Sequence, residues 1–189
     1  MRIVTRFLSA VAVLLLLCSV SEARNLKGVF NLGIDIGGDE LAYVTFVGGG
    51  TDDIKAGELL SLAGGLMYTT KSLDTMFTIG YKFDNSSAEN GNIDWYRFPV
   101  DFVMLYKIKR FRVGGGLTYH INPTLKGDGV ASGINANFDD ALGYLVQSDF
   151  IVYDSMTVGL RYTIIDYDVE NSSVSVDGNS VGLIFGVAF

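Results

Sequence analysis

The sequence predicts an all-β fold, an eight-stranded antiparallel up-and-down transmembrane β-barrel. Three observations predict it. The chain ends in a strict alternation, with Val181, Leu183, Phe185, Val187 and Phe189 on one face and Gly182, Ile184, Gly186 and Ala188 on the other. A period of two with bulky apolar groups on one side is the signature of a strand. The chain begins with an export signal. After that signal no segment approaches 18 consecutive apolar residues, which excludes helical spans, yet apolar faces recur in short segments along the whole chain.

The export signal is read at Met1 to Ala23. Arg2 and Arg6 give a positive start, Phe7 to Val20 is mostly apolar, and Ser21-Glu22-Ala23 places small residues at the two sites a signal peptidase inspects. The apolar core is shorter than the roughly 20 residues of a membrane-spanning helix. Cys18 does not make a lipoprotein signal, because bulky Leu17 stands where a small residue belongs. Two domains of sequence follow from this: residues 1–23 as signal peptide and 24–189 as one barrel domain. Cleavage removes two of the 14 basic and one of the 21 acidic residues, leaving 12 against 20 and a net charge of −8. That acidic balance argues against nucleic acid as a partner. Cleavage also removes the sole cysteine, so the exported chain holds itself without disulfides. A closed ladder of backbone hydrogen bonds in lipid is one way to do so.

Eight strands can be marked in order. The first, 29–47, is interrupted by Gly37-Gly38, which predicts a bulge or bend and places Asp35 on its inner face. The second is 55–68. The third, 75–84, sets Phe77, Ile79, Tyr81 and Phe83 against Thr78, Gly80 and Lys82. The fourth, 93–108, sets Tyr96, Phe98, Val100, Phe102, Met104 and Tyr106 against Trp95, Arg97, Pro99, Asp101 and Val103. The fifth, 111–122, opposes Val113, Leu117, Tyr119 and Ile121 to Arg112, Gly114, Gly116, Thr118 and His120. The sixth, 141–153, opposes Leu142, Tyr144, Val146, Phe150 and Val152 to Gln147 and Asp149. The seventh, 156–169, opposes Val158, Leu160, Tyr162 and Ile164 to Thr157, Gly159, Arg161 and Thr163. The eighth is 180–189.

Charge decides which face meets which solvent. A one-residue slip of the seventh strand would put Arg161 into hydrocarbon, at a cost of roughly 2–4 kcal/mol near the midplane. The apolar faces therefore point outward and the charged faces inward. Tyr68, Tyr106 and Phe189 lie near one set of strand ends, and Phe83, Tyr96, Tyr119, Tyr144 and Tyr162 near the other, as two aromatic belts require. A soluble ligand-carrying barrel would reverse this, and Gly, Thr, Arg and Asp line an apolar ligand poorly. Tight turns at Thr69 to Asp74, Lys109-Arg110 and Asp154-Ser155 alternate with longer polar connections at Asn85 to Asn92, Pro123 to Asp140 and Glu170 to Asn179. Gly48 to Ile54 is intermediate. Short turns on one side and long loops on the other put both termini on the short-turn side.

The mature chain, nearly all of residues 24–189, resembles the small eight-stranded outer-membrane β-barrel proteins. The most specific part of the resemblance is the last strand. Ser180, Gly182, Phe185, Val187 and terminal Phe189 are similar to the polar-x-Gly-x-x-aromatic-x-hydrophobic signal read by the outer-membrane assembly machinery. The resemblance implies location in the bacterial outer membrane and insertion by that machinery. It also implies contact with outer-membrane lipids and lipopolysaccharide, and a monomer. It implies no single activity, because such barrels include structural, adhesion and resistance proteins and a few lipid A-modifying enzymes.

Candidate chemistry sits inside. Asp35, Lys82, Arg97, Asp101, Arg112, His120, Gln147, Asp149 and Arg161 form the expected interior polar network, since buried charges must pair and a barrel this narrow has room for little but side chains. A narrow ion path is the rival reading of the same residues. His120 is the sole histidine. Lipid A deacylases of this size carry a serine two residues after the histidine, and here that position is Asn122, so no catalytic residue is assigned. No Asp-x-Asp-x-Asp-Gly loop is present and no metal or cofactor is expected. The acidic residues of the outer loops and strand tips, Asp84 among them, read as a solvated face, with divalent-cation bridging to lipopolysaccharide as the sharper alternative. The function expected is a non-enzymatic structural or surface-interaction barrel. The alternatives are a lipid A-modifying enzyme at a rim site near His120, or a minor small-solute or ion channel.

Overall fold

The computed structural model describes residues 25–45, 51–88 and 91–189. The expected export signal at Met1 to Ala23, the triplet Gly48-Gly49-Gly50 and Glu89 lie outside the described residues. Eight antiparallel strands form a closed ring: Leu26–Ile36, Leu59–Thr69, Leu73–Ala88, Gly91–Ile108, Phe111–Gly127, Ala141–Tyr153, Met156–Ile164 and Ser180–Ala188. They are named first to eighth below. Each pairs with its neighbours in sequence, and the first closes on the eighth from Val29↔Ala188 to Ile36↔Val181. Closure leaves no free sheet edge, the condition for strands to cross a bilayer.

The alternation in the sequence becomes two solvents. Phe30, Leu32, Ile34, Leu62, Leu66, Ile79, Met104, Leu117, Leu142, Val146, Leu160, Leu183 and Phe185 are exposed on the exterior, while Asn31, Asp35, Thr78, Lys82, Asp101, Thr118, Gln147 and Asp149 are buried. An apolar exterior of this extent is a membrane-contacting surface. Tyr81, Phe83, Tyr96 and Phe98 form a run of exterior ring contacts at 5.3–6.5 Å near the long-connection end, and Phe111 meets Phe150 at 5.1 Å near the short-turn end.

Five expected boundaries differ from the structure, each for a physical reason. The predicted first strand ends at Ile36, because Gly37 and Gly38 take φ of 125° and 88°, which turn the chain out of the wall. Glu40–Thr45 instead pairs with Thr51–Lys55 as a separate hairpin, so the predicted second strand starts only at Leu59. Within the expected connection Asn85 to Asn92, Asn85–Ala88 and Gly91–Asn92 instead extend the third and fourth strands as a ladder from Asn85↔Asp94 to Ala88↔Gly91, with Ser86 and Ile93 buried between them. Pro123 lies within the fifth strand: Tyr96 pairs with Thr124 and Phe98 with Ile121, so Asn122 and Pro123 bulge opposite Arg97. A bulge is where a strand accepts proline, and Asn122 takes the left-handed φ of 51° that it needs. The predicted seventh strand stops at Ile164, and Asp166–Asp168 pairs instead with Ser175–Asp177.

Strand length exceeds what a bilayer requires. A transmembrane strand needs about 9–11 residues. The fourth strand has 18 and the fifth 17. The excess rises beyond the membrane and is packed together there. Trp95, Ile93, Leu125, Phe138, Ala141, Ile165, Tyr167, Ile54, Ala56 and Ala42 form a buried apolar cluster over the long-connection end of the barrel. A second apolar cluster of Val29, Met67, Met76, Val103, Leu105 and Leu145 fills part of the interior toward the short turns.

Candidate functional site

The interior is a chain of charge-assisted hydrogen bonds. Asp101 accepts from Arg161 Nη1 at 2.7 Å and from the Thr118 hydroxyl at 2.7 Å. Arg161 also donates from Nε and Nη2 to Gln147 Oε1 at 3.0 and 2.8 Å. Gln147 Nε2 donates to Asp149 Oδ1 at 2.9 Å, and Asp149 Oδ2 accepts from Arg112 Nη2 at 2.6 Å. Arg112 Nη1 reaches Asp74 at 3.1 Å, and Lys107 pairs with the same carboxylate at 2.8 Å. Thr69 donates to Asp74 as well. Lys82 pairs separately with Asp35 at 3.1 Å.

Five carboxylates (Asp35, Asp74, Asp84, Asp101, Asp149) and five cations (Lys82, Arg97, Lys107, Arg112, Arg161) are thus buried or half-buried, and their formal charges cancel. Charge removed from water must be matched in this way or it destabilises the fold by several kcal/mol per ion. The small inner residues make the room. A Cβ at Gly182 would collide with the Asp35 carboxylate, and one at Gly159 with that of Asp149.

The residues read from the sequence fall into separate groups. Asp101, Arg112, Gln147, Asp149 and Arg161 join one chain, and Asp35 and Lys82 form a pair. Arg97 and Asp101 share an inward face but bond elsewhere: Arg97 lies over the Trp95 ring at 5.0 Å and donates to the Glu58 carbonyl at 2.6 Å. His120 is buried, with Nδ1 2.6 Å from the Tyr167 hydroxyl. Ser180 is buried at the outer end of the last strand, Gly182 lies against Asp35, and Phe185 and Val187 are exposed on the exterior. The Phe189 ring covers Gly28, where an added Cβ would lie 2.6 Å from it, and the two residues exchange backbone hydrogen bonds of 2.8 and 2.9 Å.

Sequence reasoning missed Asp74, Lys107, Trp95 as a packing centre, and Tyr167. It also set Asp84 on a solvated face, whereas Asp84 is buried. The signal was available for two of these, since Asp74, Met76, Thr78, Gly80, Lys82 and Asp84 keep one period-two phase. Extending the third strand by one residue at its start would have brought Asp74 in. Tyr167 could not be found this way, because it comes from a loop strand that folds back over the barrel.

Two cavities adjoin these groups. One of about 120 Å³ opens at the short-turn mouth beside Lys27, Asp74, Lys107 and Arg112. The other, about 30 Å³, lies among Asp35, Ser61, Lys82, Asp101, His120 and Arg161. The second has space for water but not for an acyl chain. Among the described residues no three His, Cys, Asp or Glu side chains are grouped to hold a metal ion.

No protein-family profile matches the sequence, and no curated protein matches it. Solved structures do match the fold. Neisserial surface protein A is 12% identical with a TM-score of 0.51, and the match covers 87% of this chain and 97% of that one. Ail, the attachment invasion locus protein of Yersinia pestis, is 12% identical with a TM-score of 0.54 and the same coverage. Ail in complex with the heparin analogue sucrose octasulfate gives 10% identity and a TM-score of 0.53. The chain therefore has the fold of the small eight-stranded outer-membrane β-barrels.

Proposed function

We propose that this protein is a non-enzymatic, surface-interaction barrel of the bacterial outer membrane, and that it works through its outer hairpins rather than its interior. One observation carries the reading: the strands that overshoot the membrane are locked into a single body by the cluster around Trp95, while the barrel below is filled with paired charges. A rigid body raised above lipid is suited to contact, and a filled interior is unsuited to transport.

Charge indicates the chemistry of the contact. Asp39, Glu40, Asp128, Asp139, Asp140, Asp166, Asp168 and Glu170 are exposed on the outer side, against Lys126 and the half-exposed Lys55. Such a face attracts cationic protein surfaces and repels polyanions. Lipopolysaccharide and the other lipids of that membrane surround the barrel, and divalent cations offset the repulsion between these carboxylates and lipid phosphates. The assembly machinery recognises the strand from Ser180 to Phe189, and the barrel acts as a monomer.

The test is binding of whole cells to a polylysine-coated surface, comparing the parent with Asp166→Asn/Asp168→Asn/Glu170→Gln. Reduced adhesion by the triple variant is expected, and equal adhesion at equal surface display overturns the reading. The enzymatic alternative is tested by mass analysis of lipid A. A lipid A change produced by the parent and abolished by His120→Ala would replace this proposal.

A further inference from the structure

A piece of the first connection packs against the outer end of the barrel. After Ile36 the chain turns out through Gly37 and Gly38, makes the hairpin of Glu40–Thr45 and Thr51–Lys55, and re-enters the wall through Ala56, Gly57 and Glu58. Those three residues present successive carbonyls to donors of the third and fourth strands. Trp95 Nε1 donates to Ala56 O at 3.1 Å, Lys82 Nζ to Gly57 O at 2.7 Å, and Arg97 Nη2 to Glu58 O at 2.6 Å. All three donor residues are buried. The Glu58 carbonyl accepts from Arg97 Nη2, whereas Arg97 Nε and Nη1 have no hydrogen-bond partner among the described residues.

The backbone of the segment is pinned as well. Ala56 N–H donates to Asp39 O at 2.8 Å, and Gly57 N–H to Gly37 O at 3.1 Å. A Cβ at Gly57 would stand 2.6 Å from Gly37 O and 2.8 Å from Asn179 O, so the segment threads between the first and last connections only as glycine. Lys82, whose Nζ the Gly57 carbonyl accepts, also lines the small cavity that Asp35, Asp101, His120, Arg161 and Thr163 share.

We propose that Ala56–Glu58 is a strap built into the fold, which shuts the outer mouth and keeps solutes out of the charged interior. Three buried donors that would otherwise face water are satisfied by its carbonyls, so closure and interior hydrogen bonding form one cooperative unit. Displacing the strap frees these donors and opens a water-filled vestibule lined by Lys82, Arg161, His120, Asp35 and Asp101. This device is independent of any partner bound by the outer hairpins.

The test uses a reporter cysteine at Thr163→Cys, a buried position lining that cavity, in a mature chain whose sole cysteine, Cys18, leaves with the export signal. Outer membranes are treated with a small cationic methanethiosulfonate, and labelling is timed. The reporter alone reacts slowly. Adding Gly57→Val raises the rate roughly tenfold or more, as expected for replacing rare local opening by a displaced strap. Gly57→Ala, which introduces the colliding Cβ alone, gives a smaller rise and serves if the valine variant does not fold. Heat-dependent gel mobility verifies the barrel in each sample. A reporter that reacts as fast without either substitution shows the mouth already open, and one that stays equally slow in both folded variants shows that the strap does not close it. Either result overturns the proposal.

Discussion

Replacing Asp101 by alanine tests the interior network at a carboxylate held by two short bonds from two different strands. Asp101 is buried and accepts two bonds of 2.7 Å, from Arg161 Nη1 and from the Thr118 hydroxyl. Removing one partner of a buried ion pair costs about 3–5 kcal/mol, because the other charge is left uncompensated. The Arg161 side chain keeps 16% exposure and two bonds to Gln147, which moves the expected loss to the lower end, about 3 kcal/mol. Leaving the Thr118 hydroxyl without its acceptor adds about 1 kcal/mol. Asp101→Asn retains the acceptor to Thr118 and fills the same space, so it loses about half as much as the alanine variant. The double variant Asp101→Ala/Arg161→Met removes both charges and recovers part of the loss, giving a coupling of at least about 1 kcal/mol in the cycle. The assay is reversible urea unfolding in lipid vesicles, followed by heat-dependent gel mobility. An alanine variant unfolding at the parent's midpoint, or single and double losses that simply add, would refute the pairing argument.

Two further predictions bear on the two solvents and on the cap. Leu160→Arg places a cation on the exterior of the seventh strand and is expected to cost roughly 2–4 kcal/mol in vesicles, whereas Leu160→Phe is nearly neutral; equal effects would mean that this face does not meet hydrocarbon. Burial holds the Tyr167 phenol above its ordinary value, although the nearby Arg97 charge opposes this. The neutral phenol is therefore favoured in the folded state. Its contribution is fully present below the ordinary phenol range near pH 10 and is lost as pH rises through the higher folded value. Ultraviolet titration at 295 nm should show a late-ionising tyrosine that Tyr167→Phe deletes, and deletion of an ordinary early phase instead would contradict the buried position.

The barrel wall was legible because hydrocarbon tolerates one phase of each strand and rejects the other. Arg161, Asp149, Asp101 and Lys82 each fix the inward face of a strand by charge alone, and the structure buries the charged faces of these strands. The outer body was not legible. Trp95 and Ile93 continue the inward phase of the fourth strand, but nothing local shows that Phe138, Ile165 and Tyr167 converge on them from later connections. Composition misled at Asn85 to Asn92, where polar residues cover the outside of a hairpin whose inner side is buried. It misled again at Gly37-Gly38, where a turn out of the wall looked like a bend within it. Pairing within the interior was legible only as a requirement. That Arg97 rests on a loop carbonyl and an aromatic ring, while Asp101 takes Arg161, depends on depth and stagger around the ring, which a single strand's alternation does not encode.

In this barrel the exterior faces of the strands meet lipid and the interior faces meet other side chains. A nitroxide scan along the sixth strand, from Leu142 to Val152 in lipid vesicles, measures this directly through collision with oxygen, which concentrates in hydrocarbon. Maxima are expected at Leu142, Tyr144, Val146, Phe150 and Val152, and minima at Leu145, Gln147 and Asp149. A profile with the opposite phase, or one without a period of two, would contradict it.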